Sequence, residues 1–523
     1  MSNMNNKFEH IPQEQFRFVQ MEGNLHDKRL ETKARSFFQD AMIRFSKNKS
    51  SVVAAWILLF LVLFALLSPI VSPYSIDDRD PLYINMAPYV PSIAEKGWGI
   101  LDGSKILSSQ NEGSVNRLKA IGLETGYNPV IGILNVNSFQ VKDRGKLVTK
   151  YSYDVEINQY FAQGIEYKNV SYEEFKKMQQ WQEETGIQLI YPWVEAVDVY
   201  PKGTKLSDLK ADAELWYECD KKGNAKLDKE GNFVPAYCTD KAIEGAPYNS
   251  LRIAGDDGSY IYARAAQGAV KIRVSYYNYY IYSNGRVPAY LFGTTNFGQD
   301  LFSAIGTGAR FSLIFAVIIS AINMIIGAIY GSIQGYYGGL IDMALDRFSD
   351  ILSGVPFIVV TTLFQLHVAP KLSPAYGVFV ALILTFIVTG WIGMASLTRK
   401  QFYRFKGQEF VMAARTLGAS DRRLMFKHIF PIAIGTIITS CALIIPGVIS
   451  SETSLAYLGV VNLQDTVGTT VGTLLSQGNA TFVEAPHTML WPSLFLGLLM
   501  ICFNLFGNGL RDAFNPSLRG GED

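Results

Sequence analysis

Apolar and polar positions divide this chain of 523 residues into long uncharged blocks and charged segments. Six blocks lack Asp, Glu, Lys and Arg, and each could form a helix long enough to cross the hydrocarbon core of a bilayer. They are Ser50–Ile76, Phe311–Ile341, Ile351–Pro370, Leu372–Thr398, Ile429–Ser451 and Thr488–Leu510. The pattern predicts six transmembrane helices. The first block is too long and starts too far into the chain to be a cleaved signal peptide.

The distribution of Lys and Arg predicts the orientation of these helices. Basic residues cluster before the first block, after the fourth and after the sixth, whereas Thr453–His487, between the fifth and sixth, contains none. By the positive-inside rule, the N-terminus, the loop after the fourth helix and the C-terminus lie in the cytoplasm. An even number of spans agrees with this assignment.

A polar insert over residues 77–290 separates the first two spans and is predicted to be extracellular. It is long enough to bury a core of its own and is predicted to be α+β. Ser171 and Glu174 form a capping box that starts a helix, and Gly186 ends it. The stretches "QVKDRGKLV" and "YYIYSNGRVPAYLF" are predicted to be hairpins, with turns at Asp-Arg-Gly and Asn-Gly.

Four cysteines fall into two groups. Cys441 and Cys502 lie in apolar blocks, where core packing is expected. Cys219 and Cys238 lie in the insert, outside the cell, where a disulfide would persist. The sequence leaves two alternatives for this second pair, a disulfide bond or two free thiols.

The motifs that are missing exclude several kinds of chemistry. The chain has no G-x-x-x-x-G-K-[ST] phosphate loop, and none of its five histidines lies in the insert. This argues against a Ser-His hydrolase or a His-ligated zinc site there. The net charge of +1 gives no sign of a nucleic-acid partner, and the spans lack paired ionisable residues at their centres. The sequence therefore indicates a conduit that draws its energy from another protein.

One basic segment, "EFVMAARTLGASDRRLMFKHIFP" at Glu409–Pro431, lies between two apolar blocks. Phe410, Ala413, Ala414 and Leu417 recur at helical spacing on one face. Gly418 suits the left-handed position after a helix, and Ser420 suits the N-cap of a second helix. The pattern predicts a helix, a glycine turn and a second helix at the cytoplasmic surface. Its exposed face would rest either on anionic lipid headgroups or on another protein.

The same segment resembles the EAA loop of inner-membrane permease subunits of ATP-binding-cassette importers, above all the C-type permease of oligopeptide and dipeptide importers (OppC/DppC type). Five other stretches resemble that family in the same order. They are "KNKSSVVAAWILLFLVLFALLSPIVSPYS", "YLFGTTNFGQDLFSAIGTGARFSL", "GYYGGLIDMALDRFSDILSGVPF", and the pair "SETSLAYLG" and "FNLFGNGLRDAFNPSLR". Together they cover residues about 45–80 and 290–519.

The resemblance implies an all-α type I importer permease (MetI-like) fold of six spans in a bacterial plasma membrane, interrupted by the insert. Residues 1–50 would be a cytoplasmic segment and 51–76 the first span. Residues 77–290 would be the extracellular insert, and 291–519 the permease core. The implied partners are a homologous second permease subunit, two cytoplasmic ATPases, and an extracellular or periplasmic peptide-binding protein. This chain would bind no metal or cofactor, and the ATPases would use ATP and Mg²⁺.

The family's coupling loop would occupy residues about 400–431 and dock in a cleft of an ATPase. The residues carried over to this role are Glu409, Phe410, Ala413, Ala414, Arg415, Leu417, Gly418 and Pro431. The sequence departs from the family at Met412, which stands where the motif has its Glu. Thr295 and Gln299 likewise replace an Asp and an Arg ahead of the second span.

The pathway itself is less clear from the sequence. Pro356, Pro446 and Gly447 are candidate kink positions. Glu452, at the outer end of the fifth span, is interpreted first as an exposed interfacial carboxylate, with a gate or peptide-amine contact as the alternative. The function predicted is peptide import. Two alternatives remain open, a permease for nickel or another small solute and a membrane-anchored receptor that uses the insert.

Overall fold

The computed structural model describes residues 37–143, 146–196, 250–252, 259–373, 376–464 and 468–514. The helices are α1 (Phe37–Lys47), α2 (Lys49–Val71), α3 (Pro91–Ala94), α4 (Glu112–Thr125), α5 (Gln159–Ala162), α6 (Tyr172–Thr185), α7 (Tyr276–Asn284), α8 (Leu301–Tyr337), α9 (Gly339–Ser353), α10 (Phe357–His367), α11 (Gly377–Thr389), α12 (Ile392–Phe405), α13 (Glu409–Thr416), α14 (Asp421–Arg423), α15 (Phe430–Tyr457), α16 (Val471–Ala480) and α17 (His487–Phe514). The strands are β1 (Ser104–Gln110), β2 (Val130–Asp143), β3 (Lys146–Asn158), β4 (Ile165–Val170), β5 (Ile190–Tyr191), β6 (Val194–Ala196), β7 (Ser250–Arg252), β8 (Ala263–Ala266) and β9 (Ala269–Ser275).

Within the described residues, five helical segments are long and apolar enough to cross a membrane. They are Lys49–Val71, Leu301–Tyr337, Gly377–Phe405, Asp421–Tyr457 and His487–Phe514. The third of these combines α11 and α12, and the fourth runs from α14 through a π-helical turn, Leu424–Ile429, into α15. Five of the six predicted spans are confirmed as helices of sufficient length.

The remaining predicted span, Ile351–Pro370, is not among these five, because the chain bends at Pro356, one of the candidate kink positions. The chain here forms α9 and a helical stretch from Phe357 to Lys371, which meet at an angle of 72°. Pro356 is the cause, because proline has no N–H to donate and its ring clashes with the preceding helical turn. Pro356 instead becomes the N-cap of α10. The pair counts as a sixth span only if the bent unit crosses the membrane as a whole.

Small residues allow α8 and α12 to pack closely. Gly327, Gly331 and Gly335 follow one another at intervals of four and lie on one face of α8. A Cβ atom on Gly331 would lie 2.1 Å from the carbonyl oxygen of Ala395 in α12, and one on Gly327 would lie 2.7 Å from Met394 Cβ. Spacing of small residues by four is the usual way in which membrane helices approach each other. These glycines therefore set the separation of the two helices.

A short helix that the sequence did not predict, α16, lies between α15 and α17. It spans ten residues and begins with a reciprocal cap between Thr470 and Thr473. Its glycines pack tightly, since a Cβ on Gly472 would lie 2.7 Å from Ala456 Cβ. A helix of this length is too short to cross a bilayer, which explains why the pattern of long apolar blocks did not reveal it.

The insert contains three antiparallel sheets in its described part. The strand orders are β1-β3-β2, then β4-β9-β5 with β8 paired to β9, and finally β6-β7. The first predicted hairpin is confirmed, because Asp143 of β2 pairs with Lys146 of β3. The predicted helix is also confirmed as α6, where Ser171 accepts the N–H of Glu174 and Gly186 caps the end with a positive φ.

The second predicted hairpin is wrong. Tyr276–Asn284 forms helix α7, and Gly285 ends it in the left-handed conformation with φ of +64°. An Asn-Gly pair suits both a hairpin turn and a helix C-terminus, because each needs a residue with positive φ. Local tyrosine content favoured a strand, but packing against the rest of the insert decided for a helix.

A cluster of buried tyrosines connects the insert to the ends of the membrane helices. Its members are Tyr74, Tyr83, Tyr89, Tyr160, Tyr276, Tyr277, Tyr280 and Tyr290. Tyr74 follows α2, and its hydroxyl accepts the N–H of Ala289 at 2.9 Å. Asp300, the N-cap of α8, accepts a hydrogen bond from Ser72. The structure thus places Tyr276, Tyr277 and Tyr280 of α7 in an internal core.

Candidate functional site

The segment Glu409–Pro431 begins with α13, whose ends follow from its sequence. Glu409 stands in the first turn, where its charge complements the helix dipole. Gly418 has φ of +83°, as predicted. The N–H of Gly418 donates to the carbonyl of Arg415, and that of Ala419 donates to the carbonyl of Ala414. These two hydrogen bonds together form a Schellman motif, which turns the chain sharply from α13 into α14.

One face of α13 is anchored to the rest of the protein. Val411 is fully buried in an apolar cluster with Phe402 of α12 and Leu424 of the π-helical turn. Ala414 is half-buried against the same cluster. The helical spacing places Ala414 on the same face as Phe410 and Leu417, but its contacts are partly internal. The anchoring fixes α13 against α12 and the start of the fifth span.

The opposite face of α13 carries apolar side chains that are exposed to solvent. Phe410 is 41% exposed and Leu417 is 87% exposed, with exposed Ala413 between them at helical spacing. We call these three residues the apolar ridge. Such a ridge on a short helix that is held rigidly from behind is typical of a surface that another protein covers.

A π-helical turn joins the segment to the fifth span. The N–H of Phe430 donates to the carbonyl of Met425, five residues back rather than four. Pro431 explains the wider turn, because it lacks an N–H and its ring opposes the carbonyl of the residue four positions earlier. Wide turns of this kind occur often at functional sites, where they interrupt a helix that otherwise continues.

The predicted pathway residues lie in different surroundings. Pro356 lies at the bend between α9 and α10. Pro446 is buried within α15, which continues through it without a break. A Cβ on Gly447 would meet no atom of the described residues within 4 Å. The structure therefore groups none of these three with the apolar ridge.

Glu452 is buried, so its interpretation as an exposed interfacial carboxylate is wrong. Its side chain is 1% exposed, and its Oε2 accepts a hydrogen bond from Ser312 Oγ of α8 at 2.9 Å. Position at the end of an apolar block suggested an interface with water. The pattern could not reveal that α8 covers this position. The gate or peptide-amine role stays a prediction.

Cys441 and Cys502 lie among the described residues. Cys219 and Cys238 lie outside the described residues. Cys502 is buried, and Cys441 is half-buried. In the described ranges, no three His, Cys, Asp or Glu side chains come together in a way that could hold a metal ion.

Tyr336 of α8, which no sequence motif marked, contacts the basic segment. It lies one residue before the end of that helix and is bonded to both Arg415 and Asp421. Its contact with residues about 80 positions later is a tertiary feature that no local pattern encodes. Arg422 and Arg423, by contrast, are exposed as the basic pattern predicted.

Comparison with known proteins gives matches at both ends of the chain. A family described as "Binding-protein-dependent transport system inner membrane component" matches residues 324–520. A second, "N-terminal TM domain of oligopeptide transport permease C", matches residues 36–88. The two matches leave residues 89–323, which include most of the insert, outside both families.

Two relatives come from Bacillus subtilis (strain 168). The chain is 39% identical over 228 residues to the oligopeptide transport system permease protein OppC, an alignment that covers 44% of this chain and 72% of that protein. It is 35% identical over 229 residues to the dipeptide transport system permease protein DppC, with 44% and 69% covered. Among solved structures, the inward-facing MetNI methionine ABC transporter matches with 15% identity and a TM-score of 0.32, over 40% of this chain and 94% of that one.

Proposed function

The chain belongs to the family of binding-protein-dependent transport system inner membrane components, and from this we propose that it is the C-type permease subunit of an ATP-driven peptide importer. Members of the family are multi-pass inner-membrane transport subunits that work with ATPase and permease partners and are not themselves enzymes. Its alignment with oligopeptide and dipeptide permeases supports a peptide as the cargo.

The apolar ridge is the observation that supports coupling to an ATPase. Phe410 and Leu417 together expose a strip of apolar surface, while Val411 holds the helix from behind. Burying that strip in a cleft of a partner would remove apolar area from water, which stabilises the complex. Ala413, between the two larger side chains, would let the walls of the cleft approach the helix backbone.

Coupling requires that the segment transmit motion from the ATPases to the spans and from the spans to the ATPases. ATP-driven closure of two ATPases would displace α13, and the displacement would reach the fifth span through α14 and the π-helical turn. The spans would then switch between inward- and outward-open states, with ATP biasing an equilibrium between two arrangements. The other half of the pathway would come from a second, homologous permease subunit.

The orientation follows from the basic residues of the segment. With Glu409–Pro431 in the cytoplasm beside the ATPases, the insert would lie on the outer side, above the ends of α2 and α8. There it would receive a peptide-binding protein or shield the mouth of the pathway. The tyrosine cluster, which joins the insert to both of those helix ends, supports a fixed position for it.

Substitution on the ridge tests the proposal. Ala413→Arg would place a bulky charge in the apolar contact and weaken ATPase binding by at least about 2 kcal/mol, or about thirtyfold in affinity. Co-purification of both ATPases with the tagged permease complex measures this loss.

The matched control is Ala480→Arg, which makes the same change at an exposed alanine at the end of α16. We expect it to retain both ATPases. Normal recovery of the ATPases with the Ala413→Arg variant would refute docking through the ridge.

A further inference from the structure

One phenolic hydroxyl bridges the two helices of the basic segment. Tyr336 at the end of α8 is 6% exposed, and its hydroxyl donates a hydrogen bond to Asp421 Oδ1 at 2.5 Å. Arg415 Nη2 donates to the same hydroxyl oxygen at 3.3 Å. The guanidinium carbon of Arg415 also lies 5.8 Å from the centre of the Tyr336 ring. A single side chain therefore contacts α13 and α14 at once.

The positions of these partners give the bridge its effect. Arg415 is in the last turn of α13, and Asp421 is the first residue of α14, on either side of the turn at Gly418. A tyrosine hydroxyl can donate one hydrogen bond and accept another, so it can join an anion and a cation simultaneously. Hydrogen bonds to charged groups are also stronger than those between neutral groups.

The apolar contacts behind α13 define its orientation less well than the hydrogen bonds of Tyr336 do. Val411, Leu424 and the ring of Tyr336 share one apolar cluster. Apolar burial holds these groups together but is non-directional, whereas a hydrogen bond requires a defined distance and angle. Removal of the hydroxyl would leave the cluster packed and the angle of the segment less restricted.

The end of α8 is itself attached to neighbouring helices. Lys406 Nζ donates to the carbonyl of Gly335 at 3.1 Å. Arg399 of α12 forms ion pairs with Asp342 and Asp346 of α9, at 2.7 and 2.8 Å. A displacement of the basic segment that reaches Tyr336 would therefore move α8, α9 and α12 together.

We propose that Tyr336 is a positioning residue that links the basic segment to the second span. The segment is joined covalently to α12 at its start and, through the π-helical turn, to α15 at its end, and Tyr336 adds a hydrogen-bonded attachment to α8. Because this third attachment is directional, it restricts the angle that the segment adopts between its two covalent ends. The inference rests on the proposed function, since it assigns the route by which docking moves the spans.

The test is Tyr336→Phe in the full complex with both ATPases, reconstituted in liposomes. Both ATPases should still co-purify, because the ridge is intact, but peptide uptake per ATP hydrolysed should fall about tenfold. Hydrogen exchange of the amides of residues 411–424 should rise about tenfold, as expected for losing a hydrogen bond to a charged group. Tyr337→Phe is the control, because Tyr337 is half-exposed and its hydroxyl makes no hydrogen bond among the described residues.

Substitutions of Asp421 separate positioning from mere packing. Asp421→Ala should reproduce the loss of uptake per ATP, and the double variant with Tyr336→Phe should be no worse than Asp421→Ala alone. Asp421→Asn keeps an acceptor oxygen and should retain most of the uptake.

Several results would overturn the inference. These are normal uptake per ATP for Tyr336→Phe, an additive loss in the double variant, or loss of ATPase binding with Tyr336→Phe. Failure of the proposed function would look different, because the Ala413→Arg variant would then keep its ATPases whatever Tyr336 does.

Discussion

Gly418 shows how one backbone conformation controls the basic segment. Its φ of +83° lies in the left-handed region, which costs about 1–2 kcal/mol for a residue with a Cβ atom. We expect Gly418→Ala to open the turn, so that trypsin cleaves after Arg415, Arg422 or Arg423 about tenfold faster. Cleavage of a transiently opened segment follows the equilibrium population of the open form.

Gly407 provides the matched control for this prediction. A Cβ atom at either glycine would meet nothing within 4 Å in the described part of the chain, and the positive φ belongs to Gly418 alone of the two. Gly407→Ala should therefore leave the cleavage rate unchanged. Equal rates for the two variants would show that the left-handed turn does not hold the segment together.

The sequence could predict the role of a residue wherever that role depends on neighbours along the chain. Gly418 was predictable, because a glycine after a helical repeat and before a capping serine has few other uses. Glu452 and Ala414 were not, because their burial depends on packing against other elements, α8 for Glu452 and the apolar cluster with Phe402 and Leu424 for Ala414. Spacing identifies a helical face but does not reveal what covers it.

At the scale of elements, the spans were predictable because a bilayer requires about 20 apolar residues per helix. The bend at Pro356 was only partly predictable. Proline marked a candidate kink, but its position alone does not give the angle of 72° between α9 and the next helix. Helix α7 was not predictable, since its tyrosines and its Asn-Gly pair indicate a strand and a turn when considered locally.

The tyrosine cluster gives the insert a testable response to alkaline pH. Burial raises the pKa of Tyr83, Tyr160, Tyr276 and Tyr290 well above the ordinary value for tyrosine. Because the folded pKa exceeds the unfolded one, the stability that these groups contribute is complete below about pH 10 and is lost as the pH rises further. Alkaline conditions should therefore unfold the insert cooperatively.

Absorbance of tyrosinate during a pH titration measures this response. The cluster should ionise only well above pH 10, in one step that coincides with loss of β-sheet circular dichroism. A smooth titration of all 28 tyrosines near pH 10, with the sheets intact, would show that the cluster is not buried.

At the scale of the whole molecule, the protein combines a permease core with an insert, and the sequence informs the two parts to different degrees. Residues 36–88 and 324–520 match known families, and the segments that resembled them also predicted the permease core. These two matches leave out residues 89–323, and the arrangement of the insert comes from the structure. Its attachment through tyrosines to α2 and to the start of α8 makes it a fixed part of the permease.

The central claim is that this chain forms part of a peptide pathway driven by ATP on the side of the basic segment. It is tested most directly by uptake of a labelled oligopeptide into liposomes that contain the full complex, with the binding protein outside and ATP inside. An ionophore mixture that collapses ion gradients should leave uptake intact, whereas omission of ATP should abolish it. Uptake that persists without ATP, or that stops when the gradients collapse, would contradict the account.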